Sequence, residues 1–72
     1  MELTVTQKLL IYGMTLFPLS EENQEGIFFM MKTEERQILM IGYLQTHPQA
    51  TEQEILNEAG RIIKLTKEKS TN

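Results

Sequence analysis

Residues 33–65 have the sequence TEERQILMIGYLQTHPQATEQEILNEAGRIIKL, and the rest of the chain is expected to pack onto them. This stretch predicts two helices, at about 34–46 and 52–66, joined by a short turn at His47-Pro48-Gln49. A proline disfavours helical backbone at the residue before it, so the first helix should end near His47. The expected unit is a C-terminal helical hairpin.

The second helix of the hairpin has the clearest periodicity in the chain. Thr51 and Glu54 match a capping box, in which the Thr hydroxyl accepts from the third backbone N–H and the Glu bonds back to the cap. Gly60 opposes a helix by about 1 kcal/mol relative to alanine. The apolar residues nevertheless continue in phase beyond it and predict one unbroken helix. They form a stripe about 120° wide, made of Ile55, Leu56, Ala59, Ile62 and Ile63.

The first helix of the hairpin contains Ile38–Leu44, a run of apolar residues and glycine. A helix that is apolar all round is typical of an element enclosed on several sides, and Gly42 is expected to let a neighbour approach closely. The competing hypothesis is a strand pair within 27–44, because periodicity does not assign short apolar runs. The N-cap at Thr33 and the stop before proline favour the helix.

The N-terminal half predicts two further helices. One should cover about 5–17, beginning at a weaker capping box of Thr4 and Gln7 and ending at Phe17-Pro18. The other should cover Glu21–Met31, with Ser20 as its N-cap. The predicted fold is therefore all-α, a bundle of three or four helices in a single domain at 1–66. Residues 67–72 should be a polar, frayed tail.

Composition limits the class of protein. At 72 residues the chain is near the lower size limit for a self-sufficient core. The absence of cysteine excludes disulfides and cysteine-ligated metals. Hydrophobic content of 40% is too high for a disordered chain, and no run approaches a membrane span. Glu2 stands where a signal peptide would be basic, so the cytoplasm is the expected location.

Catalytic and cofactor motifs are missing from the sequence. The glycines are isolated rather than arranged as a phosphate-binding loop. His47 is the single histidine, has no partner spaced for zinc, and is expected at the surface or as a cap. Neighbouring glutamates such as Glu34 and Glu35 fall in first turns, where the helix dipole explains them. The expectation is a protein that is not an enzyme and binds no cofactor or metal.

The net charge of −3 is unevenly distributed. Residues 1–60 hold nine glutamates against three cations, whereas 61–72 are net basic. This asymmetry supports an alternative hypothesis of a helix-turn-helix DNA-binding protein, with Glu52–Ala59 as first helix, a turn at Gly60 and Arg61–Lys69 as recognition segment. Its candidate nucleic-acid contacts are Arg61, Lys64, Lys67 and Lys69. The acidic body and the continuous stripe disfavour it, so nucleic-acid binding is not expected.

The preferred hypothesis is a small acidic interaction or regulatory module that acts by protein–protein contact. The predicted helix at Glu21–Met31 ends in five consecutive apolar residues, and a chain of this length is not expected to bury all five side chains. An exposed apolar patch of that size is unusual in a monomer. A symmetric homodimer is the expected solution, with a heterologous protein as the rival partner. The candidate interface consists of Ile27, Phe28, Phe29, Met30 and Met31.

Overall fold

The computed structural model describes residues 2–17 and 19–70, with the side chains of Met14 and residues 68–70 left out. The described residues contain helices and no strand, so the all-α prediction is confirmed and the strand pair at 27–44 is wrong. The chain forms a small bundle with a Cα radius of gyration of 11.8 Å. Its elements are α1 (Val5–Ile11), a π-helical segment (Tyr12–Leu16), α2 (Glu21–Met30), α3 (Glu34–Thr46) and α4 (Glu52–Ser70).

All four α-helices begin where side-chain caps are predicted. Thr4 accepts from the amide of Gln7, whose side chain bonds back to the cap. The hydroxyls of Ser20 and Thr33 accept from the amides three residues on, at 3.2 Å each. Each cap satisfies an amide that would otherwise lack an intrahelical partner.

The predicted capping box of α4 is also confirmed. The Thr51 hydroxyl accepts from the Glu54 amide at 3.2 Å, and the Glu54 carboxylate accepts from the Thr51 amide at 2.8 Å. These bonds to Thr51 lower the pKa of Glu54. α4 continues through Gly60 without a break and ends at Ser70, four residues beyond the predicted end at 66.

The core is built from all four α-helices and two connecting residues. The predicted stripe on α4 faces it: Ile55, Ala59 and Ile62 are no more than 1% exposed, and Leu56 and Ile63 pack against them. α3 packs against α1 on one side and α4 on the other, and α2 packs against α4. The buried cluster consists of Leu9, Phe17, Ile27, Met31, Met40, Ile41, Leu44, Ile55, Ala59 and Ile62.

The predicted N-terminal helix at 5–17 changes its winding at Tyr12. From there to Leu16 the backbone is π-helical, a rare form that widens the turn. The Thr15 hydroxyl donates to the Ile11 carbonyl at 2.6 Å within this segment. A Cβ at Gly13 would lie 3.1 Å from Cζ of Phe28, so glycine allows the segment to lie directly against α2.

Polar side chains of α3 hold the connection between α2 and α3. Nη1 of Arg36 donates to the Met30 carbonyl at 3.2 Å, and Nε2 of Gln37 donates to the Met31 carbonyl at 3.0 Å. The Thr6 hydroxyl of α1 donates to Oε1 of Gln37 at 2.9 Å. The bonds from Arg36 and Gln37 satisfy carbonyls at the end of α2 that the helix itself leaves without partners.

A carboxylate joins the beginnings of α2 and α4. Oε2 of Glu52 accepts from the Ser20 amide at 2.6 Å and from Nδ2 of Asn23 at 2.9 Å. These donors, the Ser20 amide foremost, lower the pKa of Glu52. Two helix N-termini thus share one negative charge, which also suits their dipoles.

Candidate interaction surface

The residues predicted to form an interface divide between core and surface. Ile27 and Met31 are 3% and 1% exposed and belong to the core. Phe28 and Met30 are half-buried and pack against it. The chain's own helices therefore cover these four side chains in the monomer, and the expectation that little would cover them needs correcting. The N-terminal segment provides part of the cover, through Gly13.

Phe29 is the member of that run which remains at the surface. It is 70% exposed, and the Lys32 ammonium lies 4.2 Å from its ring centroid. Positions 27 and 29 are about 200° apart on a helix, so burial of Ile27 turns Phe29 outward. An exposed cation–π contact of this kind is worth about 0.5–1 kcal/mol.

A second apolar surface lies between α3 and α4, away from the interface predicted from the sequence. Ile38 is 52% exposed, Leu39 37% and Leu65 41%. Together with Glu34 and Glu35 they line an open depression of about 440 Å³. We refer to Ile38, Leu39 and Leu65 as the α3/α4 patch. α3 is therefore flanked by two helices but not enclosed, which corrects the expectation for its apolar run.

The sequence contained a signal for this patch. Ile38 follows Glu34 by four residues, and Leu39 follows Glu35 by four, so each apolar residue shares a helix face with a glutamate. Both glutamates are exposed. Their position on α3 indicates which side of the apolar run faces solvent.

The outer face of α3 is open at its centre. Ile38, Gly42 and Gln45 recur at helical spacing and are all exposed. A Cβ at Gly42 would meet nothing within 4 Å. The expected close approach at Gly42 is thus absent within the described part of the chain, and its φ is not positive. Neither close packing nor backbone conformation within the monomer requires glycine there.

An apolar groove between the N-terminal segment and α3 continues this face. Ile11 is 40% and Leu16 58% exposed, and with Tyr12 and Gln45 they line a depression of about 230 Å³. A neighbouring depression of about 310 Å³ shares Tyr12, Leu16 and Gln45 and extends to Pro48. Gln45 therefore connects the groove to the outer face of α3, on the side away from the α3/α4 patch.

The end of α3 is closed by His47, in agreement with the expected capping role. Its Nδ1 lies 2.9 Å from the Tyr43 carbonyl, and the tautomer protonated there donates to it. The His47 and Tyr43 rings stack with centroids 4.1 Å apart. Burial, and secondarily the charges of Glu54 and Glu58, raise the pKa of the Tyr43 phenol. The His47 ring is therefore held against the last turn of α3.

The residues proposed for DNA contact lie on a continuous helix. The helix-turn-helix alternative needs a turn at Gly60, whereas α4 is helical from Glu52 to Ser70, so that segmentation is wrong. Arg61 donates twice to the Glu58 carboxylate, at 2.9 and 2.6 Å, and the pair lowers the pKa of Glu58. Lys64 and Lys67 are exposed, and the side chain of Lys69 lies outside the described part of the structure.

No group of three or more His, Asp or Glu side chains in the described part of the chain is placed to hold a metal ion. No helix among the residues searched has the length and apolarity needed to cross a membrane. Comparison of the chain with protein-family models, with curated proteins and with solved structures finds no match.

Proposed function

We propose that this protein is a small protein–protein interaction or regulatory module that self-associates as a homodimer. The observation that carries the proposal is the α3/α4 patch. Single exposed apolar residues are normal on protein surfaces, but here three large side chains from two helices line one depression. Contiguous apolar surface of this kind marks interaction sites in soluble proteins.

The proposed interface lies on the outer side of α3, whereas the interface predicted from the sequence lay at the end of α2. Ile27 and Met31 are excluded from it because they are buried in the core. Ile38, Leu39 and Leu65 replace them, and the groove on the other side of the α3 outer face adds Ile11 and Leu16. A cytoplasmic location belongs to the same proposal, since a chain without cysteine needs no oxidising compartment. The proposal assigns the chain no catalytic role.

The exposed fractions set the expected strength of association. Complete burial of an apolar side chain is worth about 1.5–3 kcal/mol, and these five are only 37–58% exposed. Each therefore contributes roughly 1 kcal/mol, against an association cost of about 4–15 kcal/mol. Counted over both copies the gain is about 10 kcal/mol, which is of the same order as that cost, so we expect a weak dimer that dissociates on dilution.

Light scattering coupled to size exclusion, run from low to high micromolar protein, tests the proposal. We expect a dimer mass that falls towards the monomer on dilution. Ile38→Glu should abolish the dimer, because a carboxylate would have to be desolvated in the contact. A monomer mass at every concentration would overturn self-association and leave a heterologous partner as the occupant of the patch.

Phe29→Glu is the matched control. Phe29 is more exposed than Ile38 and lies on α2, outside the α3/α4 patch. Its substitution by Glu should leave the dimer intact, and circular dichroism should show that both variants remain helical. Loss of the dimer in the Phe29 variant alone would return the interface to α2.

A further inference from the structure

We infer that a basic amphipathic helix of another protein binds along the groove between α3 and α4 and displaces the second copy from the α3/α4 patch. This binding rests on the proposed function in taking that patch as an interaction site, and goes beyond it in naming the chemistry of a heterologous partner. Apolar side chains provide the contact, and the charges around them select the partner.

The α3/α4 patch is one end of a longer groove between the two helices. On α3, Leu39 and Tyr43 follow Glu35 at intervals of four residues and therefore lie along one face of the helix. Burial first, and then the nearby charges of Glu54 and Glu58, raise the pKa of the Tyr43 phenol. This face of α3 is therefore turned towards α4.

Two depressions lie along this groove. The α3/α4 patch lines the one of about 440 Å³. The other, of about 390 Å³, lies where α3 ends and α4 begins, and Tyr43, His47 and Glu54 belong to its lining. Positions 35 and 47 are about 18 Å apart along the axis of a helix. A partner helix of about that length would cover both depressions, in the helix-in-groove mode of recognition.

The net charge along the groove is negative. Glu34 and Glu35 line the depression at the α3/α4 patch, and Glu54 lines the depression at the other end. Arg61 on α4 is paired with Glu58 at 2.6 Å and so adds no net charge. The groove therefore has carboxylates at both ends and apolar side chains between them.

This charge pattern favours a heterologous helix over a second copy. A helix with Lys or Arg at both ends of an apolar stripe would place cations near the carboxylates, and such complementarity steers encounter and disfavours other partners. A second copy brings the same carboxylates to the contact, and the exposed Lys64 projects about 100° away from Leu65 on α4. The second copy is thus the weaker occupant of the patch.

A designed peptide provides the probe. It has about 16 residues, enough to be partly helical alone, with Leu on one face, Ala elsewhere, Lys at both ends and a fluorescein label. One control peptide has Glu in place of each Lys, and another scatters the same Leu residues around the helix. Fluorescence anisotropy should show saturable binding of the first peptide only, weakening as salt rises. Absence of binding, or equal binding of either control, would overturn the inference.

Matched charge variants locate the binding site. Glu34→Gln with Glu35→Gln should weaken binding of the basic peptide roughly threefold to tenfold, since each exposed ion pair contributes little. The control is Glu21→Gln with Glu22→Gln, because these glutamates are also exposed and also occupy a first turn, that of α2. Both pairs change the net charge equally, so equal weakening would show only long-range attraction and would overturn the site.

A neutral substitution tests the apolar contact. Leu65→Gln keeps the charge but removes apolar surface from the α3/α4 patch, and it should weaken binding of the basic peptide roughly fivefold. Phe29→Gln, at a more exposed position on α2, should leave the affinity unchanged. Unchanged affinity in the Leu65 variant would overturn the inference.

Light scattering with added basic peptide separates this inference from self-association. The dimer mass should fall to that of one chain with one peptide. A protein that is monomeric at every concentration and binds the peptide in the groove would overturn self-association and leave the inference standing. A dimer that binds no peptide would do the reverse. A dimer that persists with the peptide bound would place the peptide elsewhere and overturn the inference.

Discussion

Arg36 and Thr66 are joined across α3 and α4 by a hydrogen bond in which Nε donates to the buried hydroxyl at 2.8 Å. The hydroxyl in turn donates to the Ile62 carbonyl at 2.8 Å within α4. Since Arg36 also donates to the Met30 carbonyl, one side chain connects α2, α3 and α4. Nothing local in the sequence of either segment indicates this contact.

Replacing Arg36 with methionine should destabilise the fold. The substitution keeps much of the apolar stem but removes donors from Thr66 and from the end of α2, and lost bonds of this kind cost about 1–2 kcal/mol. Chemical denaturation measures the free energy of unfolding. Lys64→Met is the control for loss of a positive charge, because Lys64 is an exposed side chain on α4, where substitutions usually change stability little. Equal losses in both variants would contradict the role given to Arg36.

Thr51→Ala should lower the free energy of unfolding by about 1 kcal/mol, the usual cost of removing an N-cap hydroxyl. The variant leaves the Glu54 amide without its acceptor. Thr71→Ala removes a hydroxyl from the predicted polar tail, at a position outside the described residues, and should have almost no effect. Urea denaturation of the two variants side by side checks this, and indistinguishable curves would argue against the cap.

Glu52 should make stability depend on pH in the acid range. Its pKa is lowered in the folded state by the bonds from Ser20 and Asn23. A carboxyl with a lowered folded pKa stabilises the fold above its unfolded pKa, and this contribution is lost as pH falls through the folded value. Glu52→Gln should therefore destabilise the protein at neutral pH and flatten the dependence between neutral and acid conditions.

Titration by NMR tests the same carboxyl directly. The Glu52 pKa should lie below the ordinary glutamate value in the wild type and rise when Asn23→Ala removes one donor. A Glu52 pKa at or above the ordinary value in the wild type would mean that the carboxylate does not accept these bonds in solution.

Specific duplex DNA binding is not expected at physiological salt. The chain carries a net charge of −3, and affinity for duplex DNA depends largely on neutralising phosphates with Lys and Arg. Fluorescence anisotropy with a pool of random-sequence duplexes, followed by selection, provides the measurement. Tight sequence-dependent binding that is lost in Arg61→Ala and Lys64→Ala variants would replace the interaction-module proposal with a DNA-binding one.

The surface was only partly predictable. The sequence predicts the apolar run at the end of α2 as one interface, whereas residues 27 and 29 point in directions about 200° apart on the helix. Of the five residues predicted to form the interface, Phe29 is the one whose side chain is exposed. The α3/α4 patch was missed, although the glutamates four residues before Ile38 and Leu39 indicated the exposed side of α3.

The sequence by itself determined where the helices begin, that residues 34–46 and 52–66 form a hairpin, and that the α4 stripe continues through Gly60. Caps such as Thr51 act over three residues, and a helical stripe repeats every three or four, so both are visible in a short window. Only the tertiary structure decided which side of α3 stays open, where the N-terminal helix becomes π-helical, and that Met31 lies inside. Burial has no preferred direction of its own, so it depends on helices that lie far away in the sequence.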